Sequence, residues 1–394
     1  MFRSGIALAL SLAACAAHAD GERLAFVTSV QGNANLQTWA DANGLSGLAA
    51  ADRICRQRAT AAGLAEADQF VAWMSDSNDD AYCRVHGLPG KRSANCGLTQ
   101  LPTNAGPWWR RDGRPFADVA SASFTTDAIL NPLNVTELNT VSTAPLAFTG
   151  TSPLGARDTI FVGCGDWTAA TSGTSAAGGR TTSTAQAWSL GRLVNCNSPA
   201  PLYCLQRGSG PALPKAASRG RVAFVTTQTY SGDLGASVEA QGQTGLAAAD
   251  AICQTQAQAA ALPRPTTYRA WLSDTGVPAA SRFANDGPWY RLDGQRIASS
   301  LQQLQSGSIE TPINLDAAGA YVQNFGAWTG TTASGTPGTA NCSGWTATTG
   351  ATGTYGVVNT TLATWTQELT PLACTLPQRL YCLADNDTLF ADTF

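Results

Sequence analysis

The sequence predicts an α+β fold used twice in tandem, each unit pairing a short helix with a small antiparallel sheet and long loops. Three observations carry this. A nine-residue stretch, Gly47-Leu-Ala-Ala-Ala-Asp-Arg-Ile-Cys55, returns 198 positions later as Gly245-Leu-Ala-Ala-Ala-Asp-Ala-Ile-Cys253. Short strand-like runs broken by Gly, Asn, Thr and Pro follow each copy. Cysteines recur at matched places in both copies, a pattern that suits disulfide staples.

The length of 394 residues allows two or three domains, and an apolar fraction of 44% is enough to fill real cores. Only 13% of residues are charged and the net charge is −3, so there is no basic footprint for nucleic acid or an anionic membrane. Met1-Phe-Arg3, the apolar run Gly5–Ala14 and Ala17-His-Ala19 have the layout of a secretory signal peptide over residues 1–19. Leu12-Ala-Ala-Cys15 supports a competing reading, a bacterial lipobox in which Cys15 is lipidated and anchors an outer-membrane lipoprotein. No stretch is long and apolar enough for a transmembrane helix. The expected location is therefore secreted or periplasmic, with the lipid anchor as the alternative.

Within each copy, Ser46 and Thr244 stand as N-caps before strong helix formers. Leu48, Ala51, Cys55, Ala59 and Ala62 fall at helical spacing, so one face looks inward and carries the cysteine. Gly63 is the expected stop of the first helix and Pro263 that of the second. Val71-Ala-Trp-Met-Ser-Asp76 matches Arg269-Ala-Trp-Leu-Ser-Asp274, and Gly106-Pro-Trp-Trp-Arg-Arg-Asp-Gly113 matches Gly287-Pro-Trp-Tyr-Arg-Leu-Asp-Gly294. The Asp-Gly pairs at 112–113 and 293–294 predict hairpins. Further matches join Asn131-Pro-Leu-Asn134 to Thr311-Pro-Ile-Asn314, and Leu202-Tyr-Cys-Leu205 to Leu380-Tyr-Cys-Leu383. The expected units are residues 22–207 and 221–385, joined by a Gly/Pro/Ser-rich linker at 208–220, with a loosely ordered tail at 386–394.

With Cys15 in the leader, ten cysteines remain. Four are common to each copy and allow three pairings, among which spacing alone does not choose. Cys164 to Cys196 and Cys342 to Cys374 share an interval of 32, which favours treating each as an inner staple. Cys55–Cys204 and Cys253–Cys382 would then be the outer pairs. Cys83 and Cys96, assigned to an insertion of 17 residues in the first copy, pair with each other.

These motifs resemble a bacterial domain family of unknown function related to the endostatin domain of collagens, a variant of the C-type lectin fold. The resemblance rests on the Gly-Leu-Ala-x-x-Asp-x-x-Cys helix, Tyr268-Arg-Ala-Trp-Leu-Ser-Asp274, the Asp-Gly hairpin, Trp328-Thr-Gly330, Cys342-x-x-Trp345 and Leu380-Tyr-Cys382. It implies endostatin-like or C-type-lectin-like domains whose nested disulfides fit the pairing above. It transfers neither endostatin's zinc site nor calcium-dependent sugar binding, because the His residues and the Glu-Pro-Asn, Gln-Pro-Asp and Trp-Asn-Asp motifs are missing. No metal or other cofactor is expected.

Chemistry is sparse. His86 is the one histidine after the leader and reads as a solvated loop residue. Asp112 and Asp293 are turn residues, and Asp76 and Asp274 read as backbone caps. Trp73/Trp271, Trp108/Trp289 and Trp167/Trp345 read as core. Alternation along a strand turns one of each pair Trp109/Arg110 and Tyr290/Arg291 outward. Together with Arg111 and Arg114 these form a basic, aromatic patch and are ligand candidates. So are Trp188, Tyr355 and Trp365, in the small polar segments closed by the inner staples. The expected function is an exported, non-enzymatic binding protein for a glycan, matrix or cell-surface protein. A structural envelope protein making only protein contacts comes second, and a carboxylate-dependent hydrolase third.

Overall fold

A computed structural model describes residues 22–126, 128–160, 164–214, 220–323 and 326–385. The leader with Cys15, residues 215–219 of the linker and the 386–394 tail lie outside the described residues. The fold is mixed α+β with several small sheets and five disulfides.

Each repeat is built on one buried central strand, Arg23–Val27 or Arg221–Val225. Strand alternation sends Leu24 and Phe26 to one face of the sheet and Ala25 and Val27 to the other, and each set joins a separate apolar cluster. Val222/Phe224 and Ala223/Val225 do the same in the second repeat. One face is covered by the cysteine-bearing helix, Gly47–Ala61 or Gly245–Ala259. The other is covered by tryptophan-rich loops, with Trp73, Trp108 and Trp188 in the first repeat and Trp271, Trp289 and Trp365 in the second.

The first sheet runs Phe70–Ala72, Tyr203–Gln206, Arg23–Val27, Trp108–Arg110, Pro115–Ala117. It is mixed, not purely antiparallel as expected, because Arg23–Val27 pairs parallel with Trp108–Arg110 and antiparallel with Tyr203–Gln206. Arg221–Val225 lies in the same way between Trp289–Tyr290 and Arg379–Ala384. A long crossover between the parallel strands, containing the helix, makes that arrangement possible.

The cysteine pairs are those expected: 55–204, 83–96, 164–196, 253–382 and 342–374. The outer pair ties the helix to the last strand of each repeat. Closing a loop of 149 residues contributes about 4–5 kcal/mol in the chain-entropy account. Cys83 sits on the short helix Ala81–Val85, whose second-repeat counterpart is Ala279–Arg282, so the extra residues of the first copy begin after it.

Two expectations about helix ends are corrected. Ser46 and Thr244 have extended N-cap backbone, but their side chains make no capping hydrogen bond. Gly63 stops the first helix at φ +65°, whereas in the second Ala261, not Pro263, takes the left-handed conformation at φ +53°. The closing bonds match, Leu64 N–H to Ala59 and Leu262 N–H to Ala257. Each repeat also holds a left-handed turn that sequence did not suggest, Cys164–Trp167 and Cys342–Trp345. It aims the indole N–H of Trp167 at the Ser75 carbonyl and that of Trp345 at the Ser273 carbonyl.

The repeats pack on one another through matched positions. Ser183 and Thr360 form an antiparallel bridge, and the Thr361 N–H donates to the Thr182 carbonyl at 3.1 Å. The Thr311 hydroxyl donates to the Asn131 side chain, its counterpart in the other repeat. Self-pairing of equivalent positions is the signature of an approximate two-fold axis, the geometry of an isologous dimer built within one chain.

Candidate binding cleft between the repeats

The two Asp-Gly hairpins meet at this pseudo-two-fold. Trp108–Arg110 pairs with Pro115–Ala117, and Trp289–Tyr290 with Arg296–Ala298. Gly113 and Gly294 turn at φ +80° and +78°, which a side chain would resist. Alternation puts Trp108 and Arg110 on the buried side and leaves Trp109 half-buried on the other; Trp289, Arg291 and Tyr290 repeat the pattern.

Arg110 and Arg291, both ligand candidates from sequence, are therefore interior. Arg110 grips Asp112 with two nitrogens and donates to the Pro132 carbonyl at 2.8 Å and to Asn134 at 3.0 Å. Burial pushes the Asp112 carboxyl up, but the hydrogen bond and charge of Arg110 outweigh it and hold the group below the usual carboxylate range. Arg291 is 0% exposed, grips Asp293, and reaches across the interface to the Leu130 carbonyl at 2.8 Å. The turn carboxylates thus have a second task, neutralising a buried guanidinium.

Trp188 and Trp365 are core residues at 1% exposure each, packed at a tilt against Trp73 and Trp271, so their indoles are not open to a ligand. Their backbone carbonyls lie so close to Gly179 and Gly356 that a β-carbon at either glycine would collide. Part of the first small polar segment closed by the inner staple is the strand Ser175–Arg180; exposed chain remains at 168 and 171–174. Tyr355 is half-buried on the strand Tyr355–Val357, and Arg111 is half-buried in its hairpin. Neither lines the cleft.

The cleft encloses about 560 Å3. It is lined by Trp109, Pro115 and Leu130 of the first repeat, Leu292 and Leu315 of the second, and Leu213 and Pro214 of the connecting segment. Asp118 holds that segment in place, its Oδ1 accepting from the Leu213 N–H at 2.8 Å. Asp118 Oδ2 has no hydrogen-bond partner among the described residues and is available to a ligand. Gln295 lines this cleft and also a second, smaller mouth of about 270 Å3 formed by Arg114, Tyr290, Gly294 and Arg296. A mostly apolar hollow of this size with a few convergent polar groups is the usual form of a small-ligand site.

Several working residues escaped the sequence reading. Asp52 and Asp250, in the opening motif, accept from the N–H of Ala72 and Ala270 and pair with the buried Arg84 and Arg282. Each arginine also holds two carbonyls of the adjoining chain, Ala72 and Met74 or Ala270 and Leu272. The signal was present, since both arginines stand 32 positions after their aspartates. Asp76 and Asp274 accept from nearby backbone N–H groups, as expected of caps. His86 is not solvated: its Nδ1 faces the Tyr82 carbonyl at 2.8 Å and its Nε2 the Ala105 N–H at 3.2 Å. Burial pushes its pKa down, favouring neutral imidazole.

Comparison with protein-family models and with curated proteins returned no match.

Proposed function

We propose that this chain is an exported, non-enzymatic binding protein that takes a saccharide, free or displayed on a matrix or surface protein, in the cleft between its repeats. The observation that carries the reading is Trp109. Its neighbour Trp108 and the other matched tryptophans are buried, yet Trp109 stays half-open and lines the same cleft as Asp118, whose Oδ2 has no partner among the described residues. An aromatic face for the apolar side of a sugar ring, next to an acceptor for its hydroxyls, is the chemistry saccharide recognition requires. The resemblance to endostatin-like and C-type-lectin-like domains supports the same class. The leader and five disulfides suit an oxidising compartment, and no helix among the described residues is long and apolar enough to cross a membrane.

The test is titration calorimetry of the oxidised chain against neutral and acidic oligosaccharides. Saturable binding, weakened about tenfold or more by Trp109→Ala and less by Trp109→Phe, is expected. Absence of binding to any saccharide, or binding indifferent to Trp109→Ala, overturns the reading.

A further inference from the structure

The second mouth has diverged from the first at position after position. Where the first presents Trp109, Pro115 and Leu130, the matched residues of the second are Tyr290, Arg296 and Glu310. Arg114 from the first repeat completes it, the counterpart of Gln295.

We infer that this mouth receives a carboxylate of the bound ligand, which makes the ligand class an acidic, uronic-acid-bearing saccharide; the inference rests on the saccharide reading above. Arg296 Nε donates to Glu310 Oε2 at 2.8 Å, and Arg114 Nη2 pairs with the same oxygen. Two guanidiniums from different repeats thus already converge on one carboxylate. Asp112 and Asp293 are bound to Arg110 and Arg291, so Glu310 is the carboxylate that pairs directly with both Arg114 and Arg296. Burial and the charges of Arg110 and Arg296 push Arg114 down to about 10, a sign of crowded cations. The remaining N–H donors of Arg296 have no partner among the described residues, and its side chain is 43% exposed. The planar guanidinium fork matches a carboxylate. Tyr290 supplies a ring-sized face beside it, and Gln295 joins this mouth to the Trp109 cleft, so one oligosaccharide spans both.

The experiment is calorimetry on the full oxidised chain with three probes: a galacturonic-acid oligosaccharide, its carboxyl-reduced neutral counterpart, and a sulfated neutral oligosaccharide of equal length. The acid is expected to bind about tenfold tighter than the neutral form at low salt, with the gap narrowing as salt rises. Arg296→Gln should bring acid binding down to the level of the neutral form, while Trp109→Ala weakens both. Equal affinity for acid and neutral forms, with Trp109→Ala still damaging, removes the inference and leaves the saccharide reading. A preference that survives both Arg296→Gln and Arg114→Gln removes it as well. Sulfate matching or exceeding carboxylate overturns the assignment of class. Binding of no probe removes both readings.

Discussion

The two hairpins that meet at the pseudo-two-fold share a backbone plan and differ in what they offer. Each has a buried tryptophan, a buried arginine locked to its turn aspartate, and a half-buried aromatic ring between them on the opposite face of the strand. On one side that ring is Trp109 among prolines and leucines; on the other it is Tyr290 among arginines. Duplication preserved the positions that fill the core and hold the turn, and freed those at the rim. Binding chemistry is therefore to be sought where the repeats disagree.

The largest expected effect separates the two buried arginines. Arg291→Met leaves the Leu130 carbonyl without its donor and strips the guanidinium from Asp293, which keeps only the Gln295 N–H and the Tyr321 hydroxyl, and should cost about 3–5 kcal/mol in urea unfolding. Arg110→Met should cost about 1 kcal/mol less, because the Pro132, Asn134 and Asp112 groups it holds lie within its own repeat. Equal losses would mean that the contact across the interface contributes nothing.

Gly179→Ala and Gly356→Ala probe what the repeats share. Either β-carbon meets the carbonyl of Trp188 or Trp365, so each should cost about 3 kcal/mol, read as a lowered Tm by calorimetry. A smaller cost at one glycine would show that its tryptophan loop can yield.

His86 sets the first repeat apart in acid. Its folded pKa is lowered by burial, so the folded state binds fewer protons than the unfolded chain below the ordinary value of 6.5. The stability it contributes is full above about pH 6.5 and is lost as pH falls through the folded pKa. His86→Ala should flatten the slope of unfolding free energy against pH in that window; an unchanged slope would refute the buried, neutral assignment.

The smallest effect is a gain. Ala261 occupies the left-handed position that Gly63 fills in the first repeat. Ala261→Gly should relieve strain worth more than the added freedom of the unfolded chain, for a net stabilisation of about 0.5–1 kcal/mol. Thermal unfolding would measure it, and a loss would contradict the strain assignment.

What was readable in the sequence were features set by local chemistry or by exact repetition. The helices, the Asp-Gly hairpins and the buried matched tryptophans needed only propensity, turn geometry and self-comparison. The even cysteine set needed only counting, and the shared interval of 32 favoured one pairing among three. Facing was harder. Alternation announced that one of Trp109 and Arg110 turns outward, but the choice depended on Asp112, Pro132 and Asn134 offering the arginine a better buried home than the indole could find. Trp188 and Trp365 read as candidates because their segments are small and polar, and their burial comes from partners such as Trp73 and Trp271, about a hundred positions away.

By itself, then, the sequence determined that one domain plan is used twice and which residues anchor it, since periodicity and repetition are written along the chain. Only the tertiary structure decided that the copies dock face to face, that Leu130 lines the cleft while Glu310 pairs with Arg114 of the other repeat, and that a connecting segment pinned by Asp118 closes the cleft. Those outcomes depend on shape and charge meeting between residues more than ninety positions apart, and no local pattern records them.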